Sequence, residues 1–313
     1  MTDKIIDLNS DIIKIALPRL LQDKTTKKNI IWATTSYEEF GLEYKDNKQM
    51  MVGSLTGLNP MVLQPRVLKS LEEQQARTKA KAEVFTPSWI CNKMNNYLDE
   101  DWFGRKDVFN TERETSWITN EEPIQFPNDK SWKDYVDSRR LEITCGEAPY
   151  LVSRYDTSTG NLIVPPSHRI GLLDRKLRVI NENVQNEKEW FKWVIRAYES
   201  TYGYEFQGDN LLIGRINLLM TFVDNMESKW NRKPTCKETL KIANIISWNL
   251  WQMDGLSGTV PLGVPRPDFE QVTLFDMFEE DYNEVEVENT PKCKIYDWRA
   301  GDSITYESLK KGQ

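Results

Sequence analysis

Segments with strand character alternate with helical segments between residues 141 and 256, and this alternation limits the fold more than any other sequence feature. Three short strands are predicted, in LEITCG (141–146), YGYEF (202–206) and ISWNLWQMDGL (246–256), and the first is expected to be buried. Before the second strand, five apolar residues at helical spacing share one face. They are Trp190, Trp193, Val194, Ala197 and Tyr198. Strands that alternate with helices form βαβ units with a parallel sheet, so the predicted fold class is α/β.

The composition divides the chain into three parts. Residues 1–64 form a helical N-terminal region with loops, and residues 65–260 form the α/β domain. The domain begins with a predicted helix from Val67 and contains an irregular insertion at about 100–138, rich in Trp, Asn, Thr and Pro. Residues 261–313 form an acidic C-terminal extension that ends in a strand-like segment. This extension is expected either to lie over the domain or to await a partner.

Local signals place the starts of three helices. Thr86 is a predicted N-cap followed by Pro87 as the first helical residue, and Asp209 is a predicted N-cap after the second strand. Thr235 and Glu238 have the spacing of a capping box, in which each side chain bonds the other residue's backbone N–H.

Charge and cysteine content exclude several classes of protein. The net charge is −7, so direct binding to DNA would need a local basic patch or a basic partner. Four cysteines without a Cys-x-x-Cys pair argue against a zinc site and against a disulfide framework, and no metal site is predicted. The sequence contains no signal-peptide pattern and no apolar run of ~20 residues, so no membrane contact and a cytoplasmic location are expected.

Polar or turn-forming residues follow each predicted strand. Cys145 and Gly146 follow the first, Glu205 ends the second and Asp254 ends the third. Each feature alone is typical of an ordinary turn or a solvated acid. In an open α/β sheet, however, ligands bind outside the carboxyl ends of the strands. The three together therefore predict a binding site there.

Four segments carry a resemblance to a known family. They are AEVFTPSWI (82–90), LEITCGEAPYL (141–151), YGYEFQGDNLLIGRINLL (202–219) and IISWNLWQMDGL (245–256). In this order they resemble the cofactor motifs of adenine-specific (N6) DNA methyltransferases, and most closely the modification subunits of restriction–modification systems. The resemblance covers roughly residues 65–260.

This resemblance implies a Rossmann-like fold that binds S-adenosylmethionine. It assigns eight residues to the cofactor site: Phe85, Thr86, Pro87, Glu142, Cys145, Gly146, Glu205 and Asp254. The first three would touch the methionine part of the cofactor, and the next three would line the loop after the first strand. By the same resemblance Glu205 would hold the ribose, and Asp254 would face the adenine amine.

The first loop departs from the family pattern at three positions. Ala148 stands where the family usually has a second glycine, Glu147 stands where a small hydroxyl residue is common, and Pro149 follows. The family's catalytic loop, Asn/Asp-Pro-Pro-Tyr/Phe after the third strand, has no counterpart here, so the catalytic residues are unknown. IVPPSH (163–168) follows the first strand instead and is interpreted as an ordinary loop. Its His168, the one histidine, is interpreted as a surface or structural residue.

Three functions stay open at this stage. The chain could be the S-adenosylmethionine-binding part of a DNA adenine methyltransferase, with a partner subunit that supplies the catalytic loop and target recognition and through which DNA is bound. That partner could be a second methyltransferase or a restriction subunit. Alternatively, the chain could be a catalytically inactive methyltransferase-like protein that regulates or inhibits a restriction or other defence system. Methylation of another substrate is the third possibility, ranked last.

Overall fold

The computed structural model of the protein describes residues 5–57, 63–70, 74, 86–262 and 290–310. The helices are α1 (Asp11–Leu20), α2 (Val52–Thr56), α3 (Ser88–Phe103), α4 (Trp132–Asp137), α5 (Leu172–Asn183), α6 (Glu187–Glu199), α7 (Gly208–Trp230), α8 (Cys236–Asn249) and α9 (Tyr306–Lys310). The strands are β1 (Asn110–Glu112), β2 (Trp117–Thr119), β3 (Arg140–Glu142), β4 (Thr201–Glu205), β5 (Leu250–Gln252), β6 (Lys294–Asp297) and β7 (Asp302–Thr305). Short 3₁₀ turns lie at Glu38–Phe40, Leu42–Tyr44, Arg66–Leu68 and Pro166–His168. The described chain is thus mixed α/β.

A three-stranded parallel sheet with the order β3-β4-β5 lies at the centre of the fold. Glu142 is level with Gly203 in the first pair, and Gly203 is level with Leu250 in the second. Helices α5 and α6 connect β3 to β4, while α7 and α8 connect β4 to β5. The predicted parallel sheet is therefore confirmed, with the middle strand supplied by YGYEF.

The prediction that LEITCG forms a buried strand is wrong. β3 lies at an edge of the sheet, and the side chains of Leu141 and Ile143 are 46% and 61% exposed. Within β3 itself only Glu142, which points to the opposite face, is buried. The apolar residues of this segment suggested a core strand, but strand order decides which strands are covered.

The helices supply most of the apolar core. Trp190, Val194, Ala197 and Tyr198 of α6 are buried as predicted from their spacing, while Trp193 is partly buried with its ring 4.8 Å from the ring of Trp132. The N-terminal region packs into the same core, because α1 lies along α8 and its apolar residues join the same buried cluster.

Arg215 of α7 is fully buried and joins three elements around it. Its guanidinium donates to the backbone carbonyls of Leu20, of Gln22 at 3.0 Å, of Ser247 at 3.4 Å and of Leu250 at 2.9 Å. Burial lowers its pKa to about 10, so the group stays charged at neutral pH. The end of α1, the end of α8 and strand β5 are thereby tied to one side chain.

The described part of the C-terminal extension lies over the domain. β6 and β7 form an antiparallel hairpin, and the indole of Trp298 between them donates to Asn249 Oδ1 at 2.8 Å. The ring of Tyr306 lies 5.6 Å from Trp251 and 5.8 Å from Tyr204. The acidic segment 278–288 lies outside the described residues.

Of the three helix starts that the sequence predicts, one is confirmed. The capping box at Thr235 and Glu238 is present, with Glu238 N–H donating to Thr235 Oγ1 and Thr235 N–H donating to Glu238 Oε2. The other two N-caps are wrong: Pro87, not Thr86, caps α3, and Gln207, not Asp209, caps α7. Asp209 instead lies in the first turn of α7, where its buried carboxylate accepts from Tyr37 Oη at 3.0 Å.

The insertion at about 100–138 is more regular than predicted. Helix α3 continues to Phe103, the β1–β2 hairpin follows, and α4 ends the segment. The helix predicted from Val67 lies largely outside the described residues, within which Arg66–Leu68 form a 3₁₀ turn. No helix of the described ranges is long and apolar enough to cross a membrane.

Replacement of Arg215 tests whether its side chain holds α1, α8 and β5 together. Arg215→Met keeps the length of the side chain but leaves the four carbonyl groups without their donor, so we expect a loss of about 3–5 kcal/mol in the free energy of unfolding. Arg299→Met is the control, because Arg299 is half-exposed and its ion pair with Asp137 should contribute less than about 1 kcal/mol. Urea denaturation of both variants measures this, and similar losses in the two would contradict the role.

Candidate functional site

A pocket of about 980 Å³ opens at the carboxyl ends of β3 and β4. Its floor is the loop Thr144–Glu147 after β3 and the segment Glu205–Gln207 after β4. One wall comes from α3 and another from α7, through Asn210 and Asn217. This is the position at which open α/β sheets bind ligands.

Five of the eight predicted site residues line this pocket: Thr86, Glu142, Cys145, Gly146 and Glu205. Pro87 and Asp254 are not among the lining residues, and Phe85 lies outside the described residues. Three separate sequence segments therefore meet at one cavity.

The loop after β3 is fastened to β4 by its backbone. Cys145 N–H donates to Tyr204 O at 2.8 Å, which continues the strand pairing beyond the end of β3. Gly146 then has a φ of +52°, in the left-handed region that glycine adopts without cost. Gly203 of β4 allows the close approach, since a Cβ atom there would lie 3.3 Å from Cys145 Sγ.

Glu205 connects the two strand ends. Its Oε2 accepts from Gly146 N–H at 2.8 Å, and its Oε1 accepts from Gln207 N–H at 3.0 Å. Burial raises the pKa of this carboxyl above its usual range, although these two backbone donors oppose the shift. The acid that resemblance assigns to the ribose thus also holds the loop in place.

Glu142 lies beneath the loop and is buried. It accepts from Tyr150 N–H at 3.4 Å and from Leu151 N–H at 3.2 Å. Burial raises its pKa well above the usual range, and the charge of nearby Glu205 adds to the shift. Burial likewise raises the pKa of the Cys145 thiol, so this cysteine is a protonated packing residue and not a nucleophile.

Glu147 is the acidic residue that departs from the family pattern. Both oxygens of its carboxylate accept hydrogen bonds from groups within the protein. Arg66 N–H donates to its Oε1 at 2.6 Å, and the Tyr155 hydroxyl donates to its Oε2 at 2.8 Å. Asn217 Nδ2 donates in turn to Tyr155 Oη at 3.2 Å. Sequence reasoning did not select Arg66, Tyr155 or Asn217, although Asn217 belongs to the segment YGYEFQGDNLLIGRINLL (202–219) that carries part of the resemblance.

Apolar side chains surround the mouth of the pocket. Met94, Tyr97 and Leu98 of α3 are all exposed and line it, together with Leu141 and Ile143 of the β3 segment. We call these five residues the apolar rim. Met94 and Leu98 have helical spacing, and the stripe that they form on α3 faces the pocket mouth and not the core.

Asp254 forms the turn after β5. Its Oδ1 accepts from Leu256 N–H at 2.9 Å and from Ser257 N–H at 3.4 Å, and its own N–H donates to Thr259 O at 2.9 Å. This is the geometry of an ordinary Asp-Gly turn, the alternative that the sequence left open.

The IVPPSH segment does not contribute to the pocket either. Pro166–His168 form a 3₁₀ turn, and His168 Nε2 lies 2.9 Å from Glu121 Oε1 in a partly exposed pair. Among the described residues, no three histidine, cysteine or acidic side chains are grouped so that they could hold a metal ion.

Comparisons of the chain with known protein families, with curated proteins and with solved structures found no match. The function therefore has to be inferred from the residues of the pocket and from the sequence segments that they belong to.

The raised pKa of Glu142 gives a pH-dependent test of the site. Below pH of about 4.5 the carboxyl is protonated in both the folded and the unfolded chain. Above that pH the unfolded chain ionises freely while the buried group resists, so the folded wild type loses stability as the pH rises. Glu142→Gln copies the protonated form, so its free energy of unfolding at pH 8 should be larger than that of the wild type.

Urea denaturation between pH 4.5 and pH 8 measures this difference. The exposed Glu114→Gln is the matched control and should follow the wild type throughout. A Glu142→Gln protein less stable than the wild type at pH 8 would show that the ionised carboxylate is preferred in the fold.

Proposed function

We propose that this chain is the S-adenosylmethionine-binding part of a DNA adenine methyltransferase of the modification-subunit type. One observation carries the proposal: Thr86, the Glu142–Gly146 loop and Glu205 come from three separate motif-like segments and line one pocket at the strand ends. The cavity of about 980 Å³ is also within the range of small-molecule and cofactor sites.

The acids of the pocket suit a ligand that donates hydrogen bonds and carries positive groups. Glu142, Glu147 and Glu205 line the pocket, and S-adenosylmethionine carries two positive groups, a sulfonium and an ammonium, against one carboxylate. Arg66, which also lines the pocket, is the candidate to meet that carboxylate, whereas Arg154 already pairs with Asp224 at 3.0 Å. When bound, the cofactor would supply an electrophilic methyl group on its sulfonium.

The residues of this chain would bind and orient that group. Glu205 would accept hydrogen bonds from the ribose hydroxyls, and it is already aligned by the backbone N–H groups of Gly146 and Gln207. Thr86 also lines the pocket, and by the resemblance it would lie near the methionine end of the cofactor. Asp254 as an adenine-binding residue stays a prediction, which would need the turn at Gly255 to lie nearer the ligand.

Methyl transfer needs more than this chain provides. The sequence has no Asn/Asp-Pro-Pro-aromatic loop to bind a target adenine flipped out of the duplex. A net charge of −7 also makes the chain a weak partner for a polyanion. A partner subunit, either a second methyltransferase chain or a restriction subunit, would therefore supply the catalytic loop and the DNA contact. Such an assembly would act in the cytoplasm, where the chromosome of a restriction-bearing cell lies.

Calorimetric titration of S-adenosylmethionine into the purified chain tests the proposal. We expect a Kd in the micromolar range, about −8 kcal/mol. Glu205→Gln removes one acceptor from the ribose and should weaken binding at least about ten-fold, 1.4 kcal/mol. Glu114→Gln, an exposed acid of the β1–β2 hairpin outside the pocket, should bind as the wild type does. Equal affinities for all three proteins would contradict the role of Glu205, and no binding by the wild type would contradict the cofactor itself.

A second candidate function is supported by the internal bonds of the pocket acids. Both oxygens of Glu205 and both oxygens of Glu142 already have backbone donors, so the loop is complete without a ligand. A catalytically inactive, methyltransferase-like protein that regulates or inhibits a restriction or defence system would retain such a loop as a scaffold. A stable, cooperatively unfolding chain that gives no heat with S-adenosylmethionine is the result that favours this candidate.

A further inference from the structure

Among the described residues, one edge of β3 has no partner strand, since β4 alone pairs with β3, and we call this side the open edge. The N–H of Arg140 points toward β4, since it donates to Ser200 O at 2.9 Å. Groups alternate along a strand, so the N–H and C=O of Leu141 point to the other side, where no described strand lies.

The opposite edge of the sheet is closed by the chain itself. The side-chain amide of Gln252 in β5 accepts from Ile31 N–H at 2.9 Å and donates to Ile31 O at 2.8 Å. Cys293, next to β6, is buried and its thiol contacts Gln252 O at 3.4 Å. Edge strands that have no partner are normally covered or blunted by charges. The chain covers the outer edge of β5 in this way, whereas no described strand covers the outer edge of β3.

The apolar rim continues the open edge. Ile143 and Tyr97 are 61% and 70% exposed, and all five rim residues line the same pocket mouth. A contiguous apolar surface of this kind marks an interaction site more often than free surface. Backbone hydrogen-bonding groups beside apolar side chains are what an added β-strand requires.

We propose that the open edge of β3 receives a parallel β-strand from a second, different polypeptide, with the apolar rim packing against that polypeptide. Doubly wound sheets have the strand order 3-2-1-4-5-6, and the ligand lies where the order reverses. The strands β3, β4 and β5 follow one another in the chain, so they take the places of strands 1, 2 and 3 in that order. The place beside β3, on the side away from β4, is then the place of strand 4. The inference rests on the proposed function for the identity of that polypeptide as the catalytic half.

This placement accounts for the separate catalytic loop. A strand parallel to β3 has its carboxyl end beside the loop that contains Cys145 and Gly146. Residues that follow such a strand therefore reach the pocket directly. The Asn-Pro-Pro-aromatic loop that this chain lacks would enter the site from that end.

The occupant is a different chain and not a second copy of this one. A copy would bring a second net charge of −7 against the first and would repeat strands 1 to 3. A neutral or basic polypeptide that carries the second half of the sheet fits both the charge and the strand order. A basic partner would also supply the DNA contact.

A synthetic peptide serves as the probe. It has six residues that alternate valine and threonine, followed by glycine and Asn-Pro-Pro-Tyr, and it carries fluorescein at its amino end. Fluorescence anisotropy measures its binding to the full chain without any cofactor. The control peptide has the same composition, with its two prolines moved into the valine–threonine segment, because proline removes the N–H groups that a strand needs.

Two variants of the chain distinguish peptide binding at the open edge from nonspecific binding. Ile143→Lys places a charge on the edge and should weaken peptide binding at least ten-fold. Ile118→Lys changes a similarly exposed residue, 55% exposed on β2 and outside the pocket lining, and should bind the peptide as the wild type does. Amide hydrogen exchange of residues 139–145 should slow when the peptide binds.

Four results would overturn the proposal. The first two are no saturable peptide binding by the wild type up to about 1 mM, −4 kcal/mol, and equal binding of the proline-disrupted peptide. The other two are an equal loss of binding in both variants, and a dimer in sedimentation that Ile143→Lys abolishes, since a second copy would then hold the edge. Peptide binding without S-adenosylmethionine binding would remove the cofactor assignment alone. Cofactor binding without peptide binding would remove the strand partner alone.

Discussion

The parallel pairing of β3 with β4 decides where the residues of the pocket lie. It sets Glu142 level with Gly203, and the bond from Cys145 N–H to Tyr204 O carries the pairing into the following loop. Gly146 and Glu205, 59 positions apart in the chain, thereby come within 2.8 Å of each other. Without this register the loop would have no fixed position over the sheet, and the carboxylate would point at solvent.

Sequence reasoning found the parts of this arrangement that depend on local pattern. Helical spacing predicted α6, and strand-end logic placed Cys145, Gly146 and Glu205 in one site because carboxyl ends of parallel strands meet at one edge. It failed where strand order decides. Apolar residues mark a strand, yet only the order shows that β3 is at the edge and that Leu141 is exposed. The turn at Asp254 could not be placed from sequence either, because its distance from the pocket is tertiary information.

The two unusual residues of the loop have physical explanations in the fold. Ala148 has a φ of +64°, the left-handed conformation that costs a residue with a Cβ roughly 1–2 kcal/mol, and it is nevertheless fully buried. Glu147 is fixed by donors from Arg66 and Tyr155. Packing therefore holds Ala148, and side-chain hydrogen bonds hold Glu147, in a loop where the family that the sequence resembles usually has a second glycine and a small hydroxyl residue.

The open edge of β3 affects the amount of this protein that accumulates in a cell. A strand with unpaired N–H and C=O groups beside exposed apolar side chains is a template for wrong pairing and a target for chaperones and proteases. Chains that find their partner would be protected, and surplus chains would be removed. In the proposed assembly, quality control would then keep this chain and its partner in similar numbers without a dedicated regulator.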